Sequence, residues 1–137
     1  MSFYDKKDKY NKILKKKFGY EALKDLQYEI IQNIILGNDV VALLPTSYGK
    51  SICYQMPYLI TKKNVVVVSP LISLMQDQMR ELNEKGIEAV CLNSTNKNKD
   101  ADIRKIHEGH TKIIYTTPEY LTNNEEFLNL LIYKIRR

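Results

Sequence analysis

Apolar positions along the chain switch between helical and strand-like spacing, and the switches mark out its elements. From Asp5 to Lys17 a basic stretch carries Tyr10, Ile13 and Leu14 on one side, and Phe18-Gly19-Tyr20 breaks it. A second helix is predicted from about Leu26 to Leu36, with Asp25 as N-cap, Gly37 as stop, and Ile30, Ile31, Ile34 and Ile35 as a packed face. Val40 to Leu44 is a short apolar run that predicts a strand. A turn to Ser51 and a helix to about Ile60 follow, with Pro57 predicting a kink or early end. Asn64 to Ser69 contains four consecutive valines, the pattern of a strand buried on both faces. Pro70 opens the next helix with Ser69 as its cap. Leu71, Leu74, Met75, Met79 and Leu82 form its stripe and Gly86 ends it. Ile87 to Leu92 and Lys112 to Thr116 read as the third and fourth strands. Asp100 to Glu108 is a short helix between them, and helix returns at Pro118 and from Asn124 to Ile135. Strands alternating with helices predict parallel βαβ units, an α/β fold with a parallel sheet flanked by helices.

Composition narrows the class. At 137 residues, 44% hydrophobic and 27% charged, the chain has the make-up of one soluble globular domain. No apolar run approaches the ~20 residues a bilayer-spanning helix needs, and the N-terminus is charged rather than signal-like. A soluble, intracellular protein with no membrane partner is therefore expected. Cys53 and Cys91 stand far apart and read as small core residues. His107 and His110 have no Cys or Asp cluster beside them in the sequence, so zinc is not expected. The formal charge of +5 suits a polyanionic partner. Much of it is crowded at the N-terminus, in Lys6, Lys7, Lys9, Lys12, Lys15, Lys16 and Lys17. Residues 1–17 read either as a solvated basic helix or as an arm that contacts phosphates.

Candidate chemistry begins at LPTSYGKS, Leu44 to Ser51. A strand, a turn holding Gly49-Lys50-Ser51 and a helix make the context of a phosphate-binding loop. Backbone N–H groups turn inward there, and the positive end of the following helix dipole adds to them. Lys50 can reach β/γ-phosphates and the Ser51 hydroxyl can ligate Mg²⁺. In the pattern G-x-x-x-x-G-K-S/T the first glycine falls on Leu44, so only the second half is kept. Gly-Lys-Ser by itself is equally compatible with an ordinary surface loop carrying a solvated lysine.

Further stretches fall into line with this loop. FGYEALKDLQ (Phe18 to Gln27), LLPTSYGKSICYQMP (Leu43 to Pro57), VVVVSPLISLMQDQM (Val65 to Met79), LNST (Leu92 to Thr95) and YTTPEYL (Tyr115 to Leu121) occur in one order. Together they resemble the RecQ family of superfamily 2 ATP-dependent DNA helicases, over nearly the whole chain from Phe18 onward. The resemblance implies a partial RecA-like P-loop NTPase domain over residues 18–137, with ATP and Mg²⁺ as cofactors. Lys50 is then the catalytic residue. Leu44, Pro45, Thr46, Ser47, Tyr48, Gly49, Lys50 and Ser51 hold the phosphates, and Ser51 holds the metal. Tyr20 would stack on adenine, Gln27 would read its N6/N7 edge, and Lys24 stands where the family more often has Arg. Ser47 replaces a usual glycine at a position needing positive φ, and Tyr48 is expected to point outward. Ser69, Pro70, Leu71 and Ser73, with Asn93, Ser94, Thr117, Pro118 and Glu119, would follow the backbone of single-stranded DNA. The same residues also read as helix caps and loop hydroxyls.

The Asp-Glu pair that such an ATPase uses to hold Mg²⁺ and activate water is not at any of the four predicted strand ends. In the family it follows shortly after the point reached at Arg137. The chain is therefore expected to be the ATP-binding front portion of a helicase whose full-length form drives 3′-to-5′ strand separation. The alternative is a truncated module that binds nucleotide or nucleic acid without hydrolysis.

Overall fold

The computed structural model describes residues 3–136, and the side chains of residues 6–134. Met1 and Ser2 of the expected basic arm, and Arg137 at the end of the expected helicase portion, lie outside the described residues. In chain order the elements are α1 (Phe3–Phe18), α2 (Asp25–Ile35), α3 (Lys50–Thr61), β1 (Val65–Val68), α4 (Ile72–Glu84), β2 (Ala89–Leu92), α5 (Lys99–His107), β3 (Ile113–Thr116), α6 (Pro118–Asn123) and α7 (Glu125–Arg136). They gather into two compact units, divided between Lys63 and Asn64.

In the first unit, α1 is anchored by Tyr10 and Leu14, both buried. The Tyr10 hydroxyl donates to Gln32 Oε1 at 2.7 Å, and its ring lies 5.9 Å from that of Tyr28. Gly19 turns the chain at φ 81°, a left-handed conformation that costs glycine little. On α2 the four isoleucines are not one packed face: Ile31 is buried, Ile30 and Ile35 are half-buried, and Ile34 is exposed. α3 packs against α1 and α2 and continues through Pro57 rather than ending there. It buries Ile52, Cys53, Met56 and Leu59, and burial pushes the Cys53 thiol up from its ordinary pKa.

The predicted strand Val40 to Leu44 is absent. That stretch joins no ladder among the described residues; it lines, with Leu26, Glu29, Ile30 and Asn33, a groove of about 240 Å³ beside α2. Val41 and Leu43 are 96% and 94% exposed. A continuous apolar run carries the signal of a buried strand, but backbone partners along its edges are what make it one.

The second unit holds a parallel sheet in the order β1-β3-β2, so three of the four predicted strands form. Val68, Thr116 and Leu92 lie level across it. β1 and β2 are the two edge strands, each paired only with β3; β2 and β3 are buried throughout, whereas β1 is half-buried and its Val68 is 48% exposed. The valine run was expected to be covered on both faces. It is half-buried instead, with Val66 packed against the core and Val68 exposed at the end of the strand. Val90, Leu92 and Ile114 pack on one face with Ile106 of α5, Tyr120 of α6, and Phe127, Leu130 and Leu131 of α7. Alternate residues of a strand point to opposite faces, so Ala89, Cys91, Ile113 and Tyr115, also buried, serve the other. α4 packs on β2 and begins at Ile72 rather than Pro70. Its stripe divides, with Met75 and Leu82 buried while Leu71 and Leu74 stay exposed.

Candidate functional site

The loop before α3 is built on two left-handed residues. Ser47 has φ 68° and Gly49 has φ 92°, and Tyr48 between them donates its N–H to the Pro45 carbonyl at 3.2 Å. Gly49 is the N-cap of α3, which places Lys50 and Ser51 in its first turn. N–H groups of a first helical turn have no partner inside the helix and carry the positive end of its dipole. Lys50 is exposed and Ser51 half-buried there, while Pro45, Thr46 and Ser47 are exposed and Leu44 half-buried. This is the arrangement a phosphate needs: free donors, a cation on a flexible stem, and a hydroxyl.

The Tyr20 to Gln27 stretch is joined to this loop by side chains. Lys24 is the N-cap of α2, and Gln27, three residues on, accepts the Lys24 N–H through Oε1 at 2.9 Å. That is half of a capping box. Gln27 Nε2 donates to the Tyr48 carbonyl at 3.2 Å and to the Gly49 carbonyl at 3.0 Å. Two carbonyls at one end of the amide and an N–H at the other fix its orientation. Both amide hydrogens are therefore spent on the loop, and Gln27 is only 6% exposed. A Cβ on Gly49 would run into Gln27 Nε2, so glycine is required there by contact as well as by φ. Lys24 Nζ donates to the same Tyr48 carbonyl at 3.0 Å and stands 4.5 Å from the centre of the Tyr48 ring. Tyr48, expected to point clear of the site, thus carries two of its ties. The sequence holds no signal for this pairing across 24 positions, because neither residue belongs to a motif that demands the other. Tyr20 lies between α1 and α2 and is 60% exposed.

In the second unit, parallel register carries Ser69, Asn93 and Thr117 to one edge, just beyond the carboxyl ends of β1, β2 and β3. Several of these side chains are already engaged. Ser69 Oγ accepts the Leu71 N–H at 3.1 Å, and Thr117 Oγ1 caps α6 by accepting the Tyr120 N–H at 3.1 Å. Asn93 is buried, with Oδ1 taken up by the Thr95 N–H at 2.8 Å and Nδ2 directed at Cys91 Sγ. Pro70, Leu71, Ser73, Ser94, Pro118 and Glu119 are exposed along the same edge or in the helix turns that follow it.

The family model described as DEAD/DEAH box helicase matches residues 24–134, which takes in Lys24 and Gln27, the loop and the sheet edge. The chain belongs to the DEAD/DEAH box helicase family. Among relatives of this helicase chain, the ATP-dependent DNA helicase RecQ of Bacillus subtilis (strain 168) is 43% identical over 117 residues, covering 83% of this chain and 20% of the relative. A protein of Acanthamoeba polyphaga mimivirus, R290, whose name reads RNA helicase, is 42% identical over 120 residues, covering 88% of this chain and 22% of that protein. The crystal structure of the DUF1998 helicase MrfA bound to DNA and AMPPNP superposes with a TM-score of 0.64 at 28% identity, covering 83% of this chain and 17% of that one. The chain spans between a tenth and about a fifth of the length of the curated relatives it matches. The resemblance to RecQ helicases and the parallel α/β architecture expected of a partial RecA-like domain are both borne out.

Proposed function

We propose that this chain is the ATP-binding portion of an ATP-dependent DNA helicase, which in full-length form drives 3′-to-5′ strand separation. The observation that carries the reading is the loop itself. Gly49-Lys50-Ser51 opens α3 in a left-handed turn, and Gln27, from the stretch that the family devotes to adenine, is bonded directly to that turn. Lys50 meets the β/γ-phosphates. Tyr20 offers an exposed ring face to the base. Gln27 keeps one lone pair on Oε1, which suits the exocyclic amine of adenine and repels the carbonyl of guanine. The Ser51 hydroxyl, in the first turn of α3, would hold Mg²⁺, which would neutralise charge on the phosphates when bound.

Single-stranded DNA is the proposed partner of the sheet edge. Ser73 and Ser94 expose hydroxyls there, and such groups suit phosphate oxygens rather than bases. Ser69, Asn93 and Thr117 support that edge through the bonds they already make.

Residues 1–137 are expected to bind nucleotide without turning it over. In-line attack needs an acid to orient water and a cation to neutralise charge on the transferred phosphoryl. Asp77, Asp100, Asp102 and Glu119 lie on α4, α5 and α6 and not at a strand end, where such an ATPase carries its acidic pair. Binding of ATP and ADP by the chain and by its Lys50→Ala variant tests the proposal. Losing a charge-assisted contact to phosphate removes about 1.5–3 kcal/mol, a tenfold or greater loss of affinity. Equal affinity for variant and wild type would sink the assignment, and DNA-stimulated phosphate release abolished by Lys50→Ala would overturn the expected lack of turnover.

A further inference from the structure

We propose that Lys24 and Tyr48 form a clasp on the phosphate loop, and that through it Tyr48 is a positioning residue for phosphate binding. This rests on the nucleotide reading above and says something that reading does not: the cation at position 24 acts on the loop and not on the base.

Four contacts converge on Tyr48. Its N–H closes the turn on Pro45, its carbonyl accepts from both Lys24 Nζ and Gln27 Nε2, and its ring lies under the Lys24 ammonium at 4.5 Å. A carbonyl has two lone pairs, so these two donors saturate it. One ammonium therefore holds the peptide and the ring of the same residue. The need for this is local. Tyr48 stands between Ser47 and Gly49, both at positive φ, and a serine held in the left-handed region tends to leave it. Pinning the Tyr48–Gly49 peptide, which links the left-handed turn to α3, holds that turn and with it the first N–H groups of the helix. A lysine suffices here, because neither a ring face nor a single carbonyl calls for a planar fork.

The clasp predicts a loss on the phosphate side alone. Lys24→Met, which keeps the stem and removes the charge, and Tyr48→Leu should each weaken ADP, GDP and inorganic tripolyphosphate alike, by about two- to fivefold. The double variant should be no worse than either single one. Tyr48→Phe keeps a ring face and the carbonyl and should restore affinity relative to Tyr48→Leu. In the absence of nucleotide, the ε-methylene protons of Lys24 should resonate upfield in the wild type and in Tyr48→Phe, from the ring current, and at ordinary lysine positions in Tyr48→Leu. Losses that multiply in the double variant, or that affect ADP while sparing tripolyphosphate, overturn the clasp. So does an ordinary Lys24 shift in the wild type. Lys50→Ala separates the two proposals: if it leaves tripolyphosphate affinity unchanged the nucleotide reading fails, whereas a normal Lys50 effect with an unshifted Lys24 removes the clasp alone.

Discussion

Ser47 carries the same constraint in the sequence and in the fold. From the sequence it stands where a glycine is expected, at a position calling for positive φ; in the structure its φ is 68°. L-residues pay on the order of 1 kcal/mol for that conformation, because Cβ crowds the following carbonyl. Ser47→Gly is accordingly expected to raise unfolding free energy by roughly 1 kcal/mol, seen as a higher urea midpoint at unchanged slope. A lower midpoint would mean that the serine hydroxyl makes a compensating bond. Gln27 lies at the opposite end of legibility. Its residue type suggests an adenine reader, yet both its amide hydrogens go to loop carbonyls, a pairing that exists only in the folded chain.

At the scale of elements, α1 settles part of a choice that composition left open. It is a docked helix, because Tyr10 and Leu14 are buried and Tyr10 bonds to Gln32. Its lysines divide accordingly. Lys7 and Lys15 pair with Asp25 and Glu21, each at 3.2 Å, whereas Lys9, Lys12 and Lys16 are exposed at i, i+3 and i+7. Three exposed cations on one side of a docked helix, with no ion-pair partner among the described residues, match a line of phosphates. Replacing all three by glutamine is expected to lower the slope of log K against log salt for single-stranded DNA by about 2, with no change in sequence preference. An unchanged slope would return α1 to a solvated face. The helices were the more legible elements, since an amphipathic period of 3.6 is contained within one segment. Strands were less so: the valine run is an edge and Val40 to Leu44 forms no strand, because pairing lies outside the segment that pairs.

Across the whole molecule, exposed apolar groups are the main liability. Val41 and Leu43 stand almost free of cover in the first unit, and β1 in the second, paired on one side only among the described residues, ends at the exposed Val68. Open edges and bare apolar side chains invite pairing with another chain. Light scattering should rise with protein concentration and fall when Val41→Lys and Leu43→Lys are introduced together. Scattering that is flat in the parent chain, or unaffected by both lysines, would show that these groups are covered in solution. The sequence by itself determined the class of fold, the helices, the Gly-Lys-Ser turn and the family, because each of these is written in local spacing or in a run of consecutive residues. Only the tertiary structure decided which apolar runs become strands, which candidate hydroxyls are already engaged as caps, and that Lys24 and Gln27 close on the phosphate loop. Those are contacts between distant positions, fixed by which backbone and side-chain groups find partners once the chain has folded.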